Sequence, residues 1–405
     1  MTPKYPRYKD SGIPWIGEIP EGWKITQVKQ IFNIGRGRVI SQLELDDEGS
    51  YPVYSSQTQN NGCLGYIKTY DFDVSQLTWT TDGANAGTVF LREGKHNCTN
   101  VCGTLQSKDK NVNLKYMLYD LIHTAYYHKR QDTNGYKIMN NEMASIKICM
   151  PNLSEQKAIA DYLDEKCDAI DKIIETEEKV IEKLKEYKQS LITETVTKGL
   201  DKSAPMKDSG LPWIGQIPQH WEMKRLKNVL VLRNQKTQPK GQTYIALEHI
   251  NSYTGTYSLQ EKIVPEGVSN AMRKGDILFA KLRPYLAKAI IVEFDGICSS
   301  EFLVMKNYKG ASSFLLRVLL SHWFINLVSA STYGTKMPRA NWQFIGNMEI
   351  PFPPKAEQQS IADYLDNKCA KIDKAIADKE QVIEKLTEYK KSLIYECVTG
   401  KRMVA

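Results

Sequence analysis

Paired cysteines are missing from this chain. None of its eight cysteines forms a CxxC pair, which argues against the paired ligands of structural zinc and against a disulfide-stapled framework. His96, Cys98 and Cys102 are the nearest approach to a metal pattern. They supply one ligand group where a structural site normally shows two, so buried free thiols in a reducing cytoplasm are expected. There is no GxxxxGK[ST] loop, and Gly94-Lys95-His96 does not complete one. The glycines around Gly35 and Gly37 lack the third member of a cofactor loop and read as a turn. No Asn-Pro-Pro-aromatic stretch occurs, because Pro353-Pro354 stands between Phe352 and Lys355. Glu182 and Lys185 fall on a heptad helix and read as a solvated face, and neither a nucleophile elbow nor an HExxH helix is found. The expectation is a chain with no catalytic residues, no metal and no bound cofactor of its own.

Long apolar runs are also lacking. The longest apolar segment, 314–328, contains Arg317, His322 and Asn326, so it reads as an amphipathic helix of a soluble domain rather than a span of ~20 residues. The first residues, MTPKYPRYKDSG, carry no apolar stretch, so no signal peptide and a cytoplasmic location are expected. No basic tail exists, and the net charge of +7 is spread through both halves. That suits folded surfaces that read a polyanion. At 405 residues, the chain is long enough for two or three domains with cores of their own.

What the chain does have is itself, twice. Residues 10–23 read DSGIPWIGEIPEGW and residues 208–221 read DSGLPWIGQIPQHW, identical at 10 of 14 positions. Residues 155–198 and 357–400 match at 29 of 44 positions, while the stretches between these blocks look unrelated. Shared parts should do one job twice, and private parts two different jobs.

The second shared block reads as a long helix in each copy. Ser154 can cap the first, Gly199 lies where a helix stops, and prolines precede the second. Leu163, Ile170, Leu184 and Leu191 recur at heptad spacing with Ile174 and Ile181 beside them. Leu365, Ile372, Leu386 and Leu393 do the same with Ile376 and Ile383. Apolar heptads with charged remaining positions predict a coiled-coil seam. A 44-residue rod would run about 65 Å at ~1.5 Å per residue, longer than one domain, and its twin is the natural partner. Because each follows an equivalent region, the two should run antiparallel about a pseudo-two-fold axis, with Glu177 meeting Lys379 near the middle. The predicted organisation is a mixed region over 1–153, a helix over 154–200, a second mixed region over 201–355 and a helix over 356–405.

The mixed regions carry strand-like runs at 77–91 and 275–282 and helical stretches near 114–127 and 314–328. They predict two α/β (α+β) domains with small mixed sheets. Their polar residues are of the types that read base edges and hold phosphates. In the first region these are Gln57, Thr58, Asn60 and Asn61, then Thr80, Thr81, Asp82 and Asn85, then Arg130, Asn134, Tyr136 and Lys137. In the second they are Lys236, Gln238 and His249, then Lys281, Arg283 and Tyr285, then Tyr333, Thr335, Lys336, Arg339 and Asn341.

WIGEIP near the start, GYKIM or GTKMPRANW further on, then IPFPP..EQ..IADYLD and a long helix, nearly all written twice, resemble the specificity subunit of a type I restriction–modification system. The resemblance covers essentially the whole chain. It implies two target recognition domains, each reading one half of a split sequence in double-stranded DNA, with the helices as spacer. It also implies two modification (methyltransferase) subunits docked on the pseudo-symmetric body and two restriction (translocase/nuclease) subunits completing the assembly. S-adenosylmethionine, ATP and Mg would then sit on those partners. Tyr136-Lys137 and Thr335-Lys336 would fall where each domain closes onto DNA. Equivalent surfaces that hold two copies of one partner fit the duplication, and make Trp15, Trp213 and the helices the expected docking surfaces. Rival readings are a coiled-coil scaffold joining two unrelated modules, which would show no sequence-specific DNA binding, and a nuclease, which would cut DNA alone with metal.

Overall fold

The computed structural model of the chain describes residues 4–404 apart from positions 134, 261, 262, 264, 266, 333 and 335. It forms two compact units. One comprises Met1–Glu177 with Gln381–Ala405, the other Glu178–Glu380.

In the first unit, strands Val89–Arg92, Gln76–Thr80, Cys102–Ser107 and Phe32–Arg36 form an antiparallel sheet in that order. A second small sheet contains one parallel pair, Lys95–Cys98 beside Tyr51–Tyr54. The second unit has the same plan. Its strands Ala289–Ile291, Ile277–Ala280, Phe302–Lys306 and Val231–Leu232 follow the same order, and its other sheet pairs Gly296–Cys298 in parallel with Tyr244–Ile245. Even the registers agree. Trp79 lies opposite Gly103 as Phe279 lies opposite Leu303, and Thr78 opposite Phe90 as Leu278 opposite Ile290. Regions that look unrelated in sequence therefore share one frame, at a constant offset of 200. The fold is α/β (α+β) with small mixed sheets.

The duplicated N-terminal motif folds identically in both units. Ile16 and Gly17 donate to the Ile13 carbonyl at 3.0 and 2.9 Å, as Ile214 and Gly215 donate to that of Leu211. Each copy delivers a buried tryptophan, Trp23 or Trp221, to its core.

The long helices span Leu153–Lys198 and Lys355–Val398. Asn152, rather than Ser154, caps the first, because its side-chain oxygen accepts the Glu155 amide at 3.0 Å. Gly199 and Gly400 follow the helix ends at φ 74° and 72°, a conformation glycine adopts without strain. Within the first unit, Asp171 pairs with Lys390 and Tyr162 with Arg402. One helix is descended as the other is ascended, so the pairing is antiparallel. Leu163, Ile170 and Leu393 are buried there, with Ile174 and Leu386 packed against them. In the second unit Ile181, Leu365, Ile372 and Ile376 are buried and Leu191 packs on the core, while Leu184 and, in the first unit, Ile383 are half-buried.

The apolar segment expected to be one amphipathic helix is two, Ser312–Leu319 and His322–Ala330, bent by 58°. Phe314, Leu315, Val318, Phe324 and Val328 are all buried in the second unit's core, so both faces are covered. Among the described residues, no single helix is long and apolar enough to cross a membrane.

Candidate nucleic-acid interface

In the first unit, strands Arg130–Asp132 and Gly135–Lys137 form a hairpin whose second strand pairs with Asp82–Gly83. Asp82, Arg130, Tyr136 and Lys137 thereby share one three-stranded sheet. Lys137 Nζ reaches Asp132 at 2.5 Å, and this ammonium, with the Thr133 amide, holds the Asp132 carboxyl down at about 2. Arg130 pairs with Glu142 at 2.9 Å. Tyr136 is exposed, and Lys129 lies over both its ring and that of Tyr126, at 4.6 and 4.3 Å. Neither Lys129 nor Tyr126 stands out in the sequence, because only the fold places them beside the hairpin.

A second group adjoins the first, since the Ile138 amide donates to the Thr81 carbonyl at 2.9 Å. Here Asn85 Nδ2 donates to Thr58 Oγ1 at 3.2 Å, and Gln57 Nε2 donates to the Cys63 carbonyl. Asn60 and Asn61 are exposed and left-handed, at φ 48° and 50°. Thr80 and Thr81 behave differently from the expectation. Both are fully buried. The Thr80 hydroxyl donates to the Asn85 carbonyl, and the Thr81 hydroxyl to Asp82 at 2.8 Å and the Val101 carbonyl at 3.0 Å. They shape the loop from beneath rather than present hydroxyls to a ligand.

In the second unit, the Ala340 amide donates to the Lys281 carbonyl at 2.9 Å and the Arg283 amide to the Pro338 carbonyl at 2.8 Å. These bonds gather Lys281, Arg283 and Arg339. Arg339 reaches Glu301 at 3.2 Å, and the Asn341 side chain accepts the Phe344 amide at 2.8 Å, capping the helix Trp342–Asn347. Arg283 is left-handed at φ 49° and opens the short turn Pro284–Leu286, which presents Tyr285 outward. Lys336 is exposed. Lys236 Nζ meets Asn270 Oδ1 at 2.7 Å, and Gln238 is exposed beyond it. His249 is buried, its Nδ1 accepting the Ala246 amide at 3.1 Å, so it too faces inward. Asn134, Tyr333 and Thr335 lie outside the described residues.

The two groups are built on one scheme. The Ile138-to-Thr81 bond recurs as Ala340-to-Lys281, and the pairing of Lys137 with Asp82 recurs as Arg339 with Leu282. The counterpart of Lys137 is therefore Arg339, not Lys336 as the linear motifs suggest.

His96, Cys98 and Cys102 lie inside the first unit. The His96 ring stacks on Phe72, its nitrogens meet Gln76 Nε2 and the Gly94 carbonyl at 2.8 Å each, and burial lowers its pKa. No group of three such side chains among the described residues could hold a metal ion.

The family described as Type I restriction modification DNA specificity domain matches the chain twice, over residues 20–186 and 218–386. The chain belongs to that family. Among its relatives, the EcoDI specificity subunit of Escherichia coli is 23% identical over 95% of this chain and 90% of its own length. The MjaVIII specificity subunit of Methanocaldococcus jannaschii is 27% identical over 95% and 93%. A solved structure from work on complex assembly and conformational transition of the type I R-M system superposes with a TM-score of 0.70 at 12% identity. It covers 94% of this chain and 99% of its own, a likeness of fold. This specificity subunit thus carries two recognition domains for DNA sequence.

Proposed function

We propose that this specificity subunit reads a split, asymmetric DNA target, one half with each unit, contributes no chemistry itself, and holds two modification (adenine methyltransferase) subunits and two restriction subunits. One observation carries this reading. A common frame presents different side chains at matching positions: Thr81 and Asp82 in one unit stand where Lys281 and Leu282 stand in the other. An unchanged frame with altered donors and acceptors is what two unlike half-sites require, because base edges are distinguished by hydrogen-bond pattern.

In the first unit the contacting residues are Gln57, Thr58, Asn60, Asn61, Asp82, Asn85, Arg130, Tyr136 and Lys137. In the second they are Lys236, Gln238, Lys281, Arg283, Tyr285, Lys336, Arg339 and Asn341. Arginines and lysines already paired to carboxylates exchange those partners for phosphate or base acceptors at little cost, since exposed ion pairs contribute only ~0–1 kcal/mol. The repeated surfaces around Trp15, Trp213 and the helices take the two modification subunits, which carry S-adenosylmethionine, with ATP and Mg on the restriction subunits. Helix length sets the unread spacer, and one heptad inserted in both helices adds ~10 Å. Methylome sequencing of cells carrying the gene with its modification partner tests the proposal. A two-part motif with a fixed gap supports it, and the absence of sequence-specific methylation refutes it.

A further inference from the structure

The same place between the two sheets is filled differently in the two units. In the second unit it is an apolar cluster of Ile245, Leu278, Ile290, Val292, Phe302 and Val304. In the first unit, register places Tyr54, Thr78, Phe90, Arg92, Cys102 and Thr104 at the matching positions. Arg92 stands where the other unit has Val292, so the frame closes without an arginine there.

The arginine is nearly inaccessible, at 1% exposure. Its guanidinium lies 3.6 Å from the Tyr54 ring centre and 4.3 Å from that of Phe90. Nε donates to Thr78 Oγ1 at 3.2 Å, and Nη1 to the Asn61 carbonyl at 2.8 Å. Nη2 has no hydrogen-bond partner among the described residues and faces Gly62, where an added Cβ would come within 2.8 Å of it. Burying a cation costs several kcal/mol unless its donors are satisfied, so a fold that keeps one where valine suffices retains it for another purpose. What it touches supplies that purpose. Asn60, Asn61 and Gly62 run consecutively at φ 48°, 50° and 77°. Left-handed asparagines are strained, and such strain persists only where the surroundings enforce it, typically at functional sites.

We infer that Arg92 is a positioning residue for DNA sequence discrimination: it clamps the left-handed run Asn60–Gly62 from beneath, so that the exposed Asn60 and Asn61 amides are preset to read bases of one half-site. This rests on the reading that the first unit faces DNA, and it assigns the specificity to a loop held by a core cation. The second unit reads its half without such a clamp.

The test is the methylation motif of cells carrying the chain with its modification partner. The wild-type protein must first return a two-part motif; if it does not, the proposed function fails before this inference is reached. Arg92→Met should then blur base preference in one half and leave the other half intact. Because a core substitution can unfold the unit, Asn60→Gly with Asn61→Gly serves as the second variant. Glycine adopts the left-handed conformation freely, so the fold survives while the preset amides are lost. The same one-sided blurring is expected. An unchanged motif from either variant, or equal blurring of both halves by either variant, overturns the inference. If Arg92→Met abolishes all methylation, Arg92→Lys decides, because it keeps the buried charge and loses the two-point hold on Thr78 and Asn61: one-sided blurring supports the inference, and an unchanged motif overturns it.

Discussion

Lys188 Nζ lies 2.6 and 2.7 Å from the two carboxylate oxygens of Asp373, joining the antiparallel helices of the second unit. The pair has a twin in the first unit, where Lys390 Nζ reaches Asp171 at 2.7 and 2.6 Å. Lysine and aspartate sit at equivalent repeat positions, 390 − 188 = 202 and 373 − 171 = 202. Each helix therefore gives its lysine to the other helix's aspartate, a reciprocity that only an antiparallel pairing supplies.

The Lys188 side chain is 7% exposed and that of Asp373 47%. Removing the carboxylate leaves a largely buried ammonium uncompensated. Asp373→Ala should destabilise the second unit by about 2 kcal/mol, between the values for surface and buried pairs. Lys188→Met on that background should recover most of the loss. Urea midpoints of the single and double variants check this.

Asp120 is buried in the first unit, where its carboxylate accepts the Cys149 amide at 3.1 Å. Burial pushes its pKa up to about 8. A folded value above the unfolded one means that the native state prefers the proton. The associated stability is complete below about pH 4, near the ordinary aspartate value. It declines as pH rises and is lost above about 8. Asp120→Asn keeps an acceptor for Cys149 and should flatten this slope in denaturant midpoints measured from pH 5 to 8.

The second unit shows why that carboxylate is there. The matching helix position is Val318, and the strand position facing it is Pro351, which has no amide proton to satisfy. Asp120→Val alone should strand the Cys149 amide at a cost of ~1–3 kcal/mol. Adding Cys149→Pro should restore most of that loss in the same unfolding assay.

Trp213 is 49% exposed and, with Phe344, lines an open cleft of about 680 Å³. Its repeat counterpart Trp15 stacks on Tyr127 at 4.9 Å. Exposed tryptophans contribute heavily at interfaces and little to monomer stability. Trp213→Ala should leave the melting temperature within about 2 °C, as for a surface change of ~0.5 kcal/mol. It should weaken capture of the second modification subunit by about tenfold, as for a modest hot spot of ~1.4 kcal/mol. Titration of the purified subunits reads both quantities.

Lys336 is exposed in the second unit. As a phosphate contact it should weaken binding without changing sequence preference when replaced by alanine. The slope of log affinity against log salt should become shallower by roughly 0.9.

Much of this architecture was legible in the chain. The duplication and the heptad seam are linear signals, and the antiparallel helices follow from them. The common frame of the private regions was hidden. Its central strand Gln76–Thr80 is buried on both faces, so it has no alternation to read, and its counterpart Ile277–Ala280 replaces Thr78 and Thr80 with Leu278 and Ala280. Polar residue type also failed to reveal exposure. Thr80, Thr81 and His249 have the chemistry of contact residues, yet their hydrogen bonds close inside the fold. Arg92 was hidden too, because an arginine between apolar residues gives no sign of which loop it holds.

The shared frame allows one decisive exchange. Val28 donates to the Ile146 carbonyl at 3.0 Å as Leu226 donates to that of Met348 at 3.1 Å, so each private region is closed by the same bond. Residues 28–146 can therefore be replaced by residues 226–348, leaving the duplicated segments and both helices in place. Methylome sequencing of cells carrying this chimaera with the modification partner should return a motif whose second half is the reverse complement of its first, with the original gap, because two identical domains about a two-fold axis read a palindrome. A motif whose halves are not related as reverse complements would contradict the account.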